Sequence, residues 1–168
     1  MNEKIRSLAV SLGEKARAAG AVMVTAESCT AGGIAYAITE VPGSSAWFSR
    51  GFVTYAVEAK EEMLGVPCAL IEESGVVSEP VAAAMARGAL EKSGADLSVA
   101  VTGIAGPGGA EPGKPVGTVC FGYGVRVAGR IEIRTQTLCF AGDRRSVREQ
   151  TIEAALSGLE QSLEKLRR

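Results

Sequence analysis

The chain contains no histidine, and that absence decides which residues can do chemistry. Ser-His-Asp and Cys-His nucleophile pairs, the common zinc hydrolase sites and imidazole acid–base catalysis all need a residue that is missing. A general base must therefore be Lys, Asp, Glu, Tyr or water. The leading candidate nucleophile is Ser28, in the stretch Thr25-Ala26-Glu27-Ser28-Cys29-Thr30-Ala31-Gly32-Gly33. A serine hydroxyl becomes nucleophilic only beside a base, and Lys60 is the candidate partner. A free lysine, with a pKa near ~10.4, leaves less than about one in 10³ molecules unprotonated at pH 7. To act as a base Lys60 needs burial or a neighbouring cation that brings it toward ~7–8. Cys29 is intrinsically the better nucleophile, but it depends on the same lysine or on a helix N-terminus for activation, and it ranks below Ser28. The ordinary alternatives are a helix cap for Ser28 or Thr30 and a surface lysine beside Glu61 and Glu62 for Lys60.

Two further groups are candidates for binding. Thr102 and Gly103 open a segment, Gly103 to Pro115, with five glycines and three prolines. A loop of that length inside a compact domain is functional or disordered, and its apolar Ile104 and Ala105 favour a binding loop. Arg144 and Arg148 crowd the first turns of the last helix, where the macrodipole disfavours cations. Their helical row continues to Ile152 and Leu156, so both guanidiniums lean inward, where an anion or an internal carboxylate has to separate them. Arg145 instead shares an outward row with Glu149 and Glu153.

These residues need a scaffold that gathers them. Asn2 can cap a first helix with apolar positions Ile5, Leu8, Ala9, Leu12 and Ala16, ended by Gly20. A strand over 21–25 precedes the Ser28 turn and the free N–H groups of a helix starting near Ile34. A second strand over 51–55 leads through Tyr55 into a short helix, Val57 to Leu64, that carries Lys60. Ser78 caps another helix ended by Gly94, and 97–101 is a third strand, apolar enough to be buried on both faces. Two alternating segments, 118–127 and 131–140, form a hairpin at Ala128-Gly129, with Val119, Phe121, Tyr123 and Val125 facing the core. Asp143 caps the closing helix. Alternating strands and helices predict an α/β domain with a mixed sheet. If the first three strands are parallel, Ser28, Tyr55 with Lys60, and Thr102 with Gly103 all lie at one carboxyl edge, where open α/β sheets bind ligands.

Composition narrows the partners. A chain of 168 residues, 46% hydrophobic, suits one domain, 1–168, with its own core. A net charge of -1 offers no footprint for nucleic acid or an anionic membrane. No apolar run approaches a membrane span, and Met1-Asn2-Glu3-Lys4 does not begin a secretory signal, so a cytoplasmic protein is expected. Cys29, Cys68, Cys120 and Cys139 are scattered without a C-x-x-C pair, which argues against a zinc site and a disulfide framework. The lone Trp47 reads as a core or interface anchor rather than a ligand platform.

The segments TAESCTAGG, PGSSAWF, RGFVTYAVEAK, GVVSEP, TGIAGPGG, KPVGTV and FAGDRRSVR occur in the same order in a known family. The chain resembles the carboxyl-terminal domain of the competence/damage-inducible CinA proteins and the stand-alone nicotinamide-nucleotide amidases, from Val22 to Leu156. The resemblance implies a three-layer α/β/α fold with a mixed, mostly parallel sheet ending in a β-hairpin. It implies hydrolysis of the carboxamide of nicotinamide mononucleotide to nicotinate mononucleotide and ammonia, with no metal or cofactor. It places the nucleophile on Ser28 and its lysine partner on Lys60, and it implies a homodimer or higher homo-oligomer. Tyr55 would orient Lys60 or relay its proton. Cys29, Thr30, Thr102 and Gly103 would bind the oxyanion and substrate, and Arg144 and Arg148 the 5′-phosphate. Ala31 stands where many members have glycine. The nucleotide-binding domain of longer CinA proteins is absent, so no pyrophosphatase activity is expected. The alternative is a non-catalytic nucleotide-binding or interaction module that keeps the pocket.

Overall fold

A computed structural model describes residues 1–166; the last two positions of the expected 1–168 domain lie outside the described residues. In chain order the elements are α1 (Glu3–Ala19), β1 (Met23–Glu27), α2 (Gly33–Thr39), a 3₁₀ turn (Ser44–Ala46), β2 (Phe48–Val53), α3 (Val57–Leu64), α4 (Cys68–Ser74), α5 (Glu79–Ser93), β3 (Leu97–Gly103), β4 (Thr118–Val127), β5 (Arg130–Cys139) and α6 (Arg144–Leu166). The five strands form one sheet in the order β2-β1-β3-β4-β5. β1 pairs in parallel with both β2 and β3, and the two remaining pairings are antiparallel. Four strands therefore run one way and only β4 opposes them.

Helices cover both faces. α1, α2 and α6 enclose one core with the inward residues of β1, β3 and β4, including Val99, Val101, Phe121 and Tyr123. The second core lies between β1 and β3 and the helices α3, α4 and α5, around Val24, Ala26, Leu64, Ile71 and Met85. Trp47 is fully buried in the first core.

Several elements begin and end where local chemistry directs. Asn2 Oδ1 accepts from Ile5 N at 2.8 Å, Ser78 Oγ from Val81 N at 3.4 Å and Asp143 Oδ1 from Ser146 N at 2.8 Å, so three long helices have the side-chain caps expected of them. At the hairpin Ala128 and Gly129 have φ of 49° and 76°, the two left-handed positions that match strand twist in a two-residue turn. β2 starts at Phe48, earlier than expected, because pairing with β1 begins as soon as the chain leaves the 3₁₀ turn: Met23 N donates to Trp47 O at 2.8 Å. It ends before Tyr55, whose carbonyl is turned toward Lys60. β5 is shifted by one residue, and α4 has no expected counterpart. Only Ile71 of α4 is buried, so it lacks the apolar period that announces a helix.

The order of the sheet makes a crevice. The chain leaves β1 through α2 on one face, and it leaves β2 through α3 on the other. Adjacent strands whose exits diverge in this way open a cleft beyond their carboxyl ends. Ser28 follows β1 and Lys60 follows β2, so this cleft receives both.

The position of α3 rests on one close approach. A Cβ at Gly88 of α5 would lie 2.0 Å from the Leu64 carbonyl oxygen and 2.9 Å from its carbon, and backbone cannot rotate out of the way. Gly88→Ala should therefore lower stability by ~1–3 kcal/mol, the range for overpacking, measured as a fall in the urea midpoint, and should displace the helix that carries Lys60.

Candidate active site

The Ser28 turn is built by backbone from both directions. Ser28 N donates to Val101 O at 3.1 Å, extending the β1–β3 ladder by one residue, and Thr54 N donates to Glu27 O at 2.9 Å, extending the β1–β2 ladder. Beyond Ser28 the chain tightens: Ala31 N returns to Ser28 O and Gly33 N to Thr30 O, each at 3.0 Å. Ala31 and Gly32 both adopt positive φ, 49° and 92°. A left-handed alanine carries a strain of about 1–2 kcal/mol that glycine would not. Among the described residues the N–H groups of Cys29 and Thr30 donate to no other residue's carbonyl.

The N–H groups opening α2 are not free, contrary to the expectation from sequence. Ile34 N and Ala35 N donate to the Glu27 carboxylate at 2.8 and 3.0 Å. The protein fills that helix terminus with its own anion, so it is no place for a substrate phosphate.

Lys60 is fully buried. Its Nζ donates to Ser28 Oγ at 3.1 Å, to Thr54 O at 2.6 Å and to Tyr55 O at 3.3 Å. It has no carboxylate partner among the described residues; Glu61 and Glu62, one and two residues further along α3, are exposed. Desolvation by burial holds its pKa below the ordinary lysine value, opposed in part by the neighbouring Cys29 sulfur. Ser28 keeps 9% exposure while the lysine has none, so the serine stands between the amine and solvent. When the amine is neutral, its two N–H bonds can remain on the Thr54 and Tyr55 carbonyls, and its lone pair then faces Ser28. These carbonyls aim the amine.

Cys29 is buried, and burial pushes its thiol up to about 11, against the opposing pull of its own backbone N–H. Nearby Glu27 adds to the rise. It is a neutral thiol at pH 7, and the lysine is hydrogen-bonded to the serine beside it.

The other expected site residues separate into two groups. Tyr55 is at the site through its carbonyl; its exposed hydroxyl accepts from Arg144 Nη2 at 3.2 Å and does not meet Lys60. Arg144 Nη1 donates to Gly106 O at 2.8 Å, and Arg148 Nη2 to Thr30 O at 3.2 Å. Both guanidiniums thus reach the mouth of the Ser28 turn, and among the described residues neither meets a carboxylate. Arg148 Nε is buried without a partner, a donor that still has bonding capacity. Thr102 and Gly103 have structural explanations. Thr102 Oγ1 donates to Val76 O at 2.9 Å, tying β3 to the approach to α5. A Cβ at Gly103 would lie 2.8 Å from Val119 Cγ2 and 3.0 Å from Thr118 O, so sheet packing alone requires glycine. A cavity of about 430 Å³ near Leu64, Leu70 and Gly88 touches neither Ser28 nor Lys60.

The family of CinA C-terminal domains matches residues 5–163. The chain belongs to this family. It is 54% identical over 159 residues to a nicotinamide-nucleotide amidohydrolase PncC of Pseudomonas putida, covering 94% of this chain and 96% of that one. A protein of the same name from Escherichia coli K12 is 47% identical, with 94% of each chain covered. Among solved structures, the competence/damage inducible protein CihA of Agrobacterium tumefaciens superposes with a TM-score of 0.90 at 41% identity, covering 98% of each chain. This chain, a member of that family, is an α/β/α layer structure in which Ser28 and Lys60, distant in sequence, meet. Among the described residues no helix is long and apolar enough to cross a membrane, and no group of three or more His, Cys, Asp or Glu side chains could hold a metal ion.

The buried amine has a thermodynamic signature. With its pKa lower folded than unfolded, Lys60 is neutral in the native state but protonated in the unfolded state between those two values. The unfolded state then binds more protons, and stability rises with pH across that window. The wild type should gain stability relative to Lys60→Met as pH climbs from the folded pKa toward ~10.4, by up to ~1.4 kcal/mol per pH unit, in paired denaturant titrations.

Proposed function

We propose that the protein hydrolyses the carboxamide of nicotinamide mononucleotide, releasing ammonia and nicotinate mononucleotide, with Ser28 as nucleophile and Lys60 as its base. The observation that carries the reading is the 3.1 Å contact between Ser28 Oγ and a fully buried, carboxylate-free Lys60 Nζ. The PncC names of close relatives support the substrate.

In this mechanism neutral Lys60 takes the proton of Ser28 as Oγ attacks the carboxamide carbon. The carbonyl oxygen, now negative, is met by the N–H groups of Cys29 and Thr30, which no other residue's carbonyl occupies, the arrangement that stabilises an oxyanion. Lys60 passes its proton to the nitrogen, the C–N bond breaks and ammonia leaves, with the acyl group on Ser28. Water, deprotonated by Lys60, attacks the ester; the carboxylate departs and Ser28 regains its proton. Arg144 and Arg148 hold the 5′-phosphate. Both now donate to neutral carbonyl and hydroxyl acceptors, so their charge remains available to an anion. A homo-oligomer in the cytoplasm, acting on a small-molecule nucleotide, completes the proposal.

Purified protein incubated with the mononucleotide should release ammonia, and Ser28→Ala and Lys60→Ala should each lower kcat on the order of 10³-fold or more, whereas Cys29→Ala should stay within about tenfold of wild type. Phosphate-dependent binding without any ammonia from the wild type would favour the non-catalytic module instead; a collapse in Cys29→Ala with Ser28→Ala active would transfer the nucleophile to the thiol.

Arg148→Ala should raise KM for the mononucleotide at least tenfold more than for its dephosphorylated nucleoside, the pattern of a lost charge-assisted phosphate contact. Equal effects on the two substrates would remove Arg148 from phosphate binding.

A further inference from the structure

Glu27 precedes the nucleophile, is fully buried and has no cation partner among the described residues. Its carboxylate is nonetheless saturated. Oε1 accepts from Thr30 Oγ1 at 2.6 Å and Ile34 N at 2.8 Å; Oε2 accepts from Thr25 Oγ1 at 3.1 Å and Ala35 N at 3.0 Å. An ionised carboxylate offers about four lone-pair sites, and four donors from the two arms of the Ser28 turn occupy them.

We infer that Glu27 is a positioning residue of the hydrolysis, clamping the end of β1 to the start of α2 so that Ser28 and the N–H groups of Cys29 and Thr30 are held in one fixed arrangement. The inference rests on the amidase reading for its substrate, and on geometry for the clamp. α2 has no side-chain cap from its own N-cap residue, Gly32, and the left-handed pair Ala31-Gly32 brings the helix back over the strand that precedes it. Glu27 supplies what a cap would, from the far side of the nucleophile. Thr30 is held through its hydroxyl, so the N–H proposed to meet the oxyanion belongs to a residue tethered directly to the carboxylate.

The donor arrangement makes the charge state matter. Each carboxylate oxygen faces one backbone N–H, of Ile34 or of Ala35. A threonine hydroxyl can rotate to accept a hydrogen bond, but a backbone N–H cannot. Glutamine in either orientation therefore sets an amide NH₂ against a peptide N–H, and the clamp opens on one side. Glu27 itself exchanges no proton with substrate: the bonds of Lys60 go to Ser28, Thr54 and Tyr55.

The test compares Glu27→Gln and Thr30→Val with wild type. With nicotinamide mononucleotide, Glu27→Gln should lower kcat about 10²-fold, the size expected of a small misplacement, with KM within threefold and the same limbs in the pH profile of kcat. Thr30→Val, which removes one of the four donors and keeps the shape, should lose about three- to tenfold in kcat. A folded Glu27→Gln with kcat within twofold of wild type overturns the inference, as does a pH limb that disappears with the carboxylate, because Glu27 would then be the proton carrier. If Glu27→Gln does not fold, wild-type kcat in Thr30→Val overturns it. Should the wild type release no ammonia, the amidase reading fails separately, and the clamp is judged by the rate at which a fluorophosphonate modifies Ser28, read by mass: slower in both variants supports it, unchanged rates in folded variants overturn it.

Discussion

Everything at the site depends on a lysine that is desolvated without being neutralised. Burial alone would favour the neutral amine, and a carboxylate within reach would undo this by stabilising the ammonium. Lys60 instead meets two backbone carbonyls and the serine. Carbonyl dipoles satisfy N–H bonds in either protonation state, so the amine remains tunable while its direction is fixed. The surrounding fold meets the requirements this sets. α3 has to press close enough on α5 for its lysine to be sealed, and the carbonyls of Thr54 and Tyr55 have to be freed from the sheet at the right residue, which is why β2 stops at Val53.

Two features of the sheet bring the partners together. Parallel pairing of β1 with β2 puts their carboxyl ends side by side, and the divergence of α2 and α3 to opposite faces leaves the space between them open. A hairpin in place of this crossover would put the end of one strand beside the start of the next, and Ser28 and Lys60 would lie at opposite ends of the sheet. The antiparallel β4 and β5 serve another purpose. They widen the sheet until α6 lies across it, bringing Arg144 and Arg148 from the far end of the chain to Gly106, Tyr55 and Thr30.

What could be read from the residues follows physical lines. Helices with side-chain caps and regular apolar spacing were legible, as were the two-residue turn at Ala128-Gly129, the approach of Lys60 to Ser28, and the unusual arginine pair, though not that the pair would come to this site. These depend on residue type and short-range period. Contacts made by backbone were not legible: Tyr55 contributes its carbonyl to Lys60, and a carbonyl carries no mark of the side chain attached to it. Thr102 and Gly103 looked like ligand contacts from their loop, and both have packing or tethering reasons that only the neighbouring strand and Val76 reveal. Glu27 is the instructive case, because all four of its donors lie within eight residues in sequence. Recognising the clamp required knowing that Ala31 adopts a left-handed conformation, which alanine rarely does.

The alternation of a strand explains how a carboxylate can adjoin Ser28 and leave Lys60 alone. Successive side chains of β1 point to opposite faces. Val24 and Ala26 enter the core beneath α5, and Met23 enters the core beneath α1 and α6; Glu27 continues the second series toward α2, and Ser28 the first toward α3. The sheet therefore separates the anion from the lysine although Glu27 and Ser28 are consecutive residues. Burial lowers the Lys60 pKa and Cys29 opposes the shift, with Glu27 contributing to neither. A slip of one residue in the register of β1 would exchange the two side chains, pairing the carboxylate with the ammonium and turning the hydroxyl toward a helix cap. Ser28 would then be an ordinary capping residue, and the pleat is what turns it to the Lys60 amine.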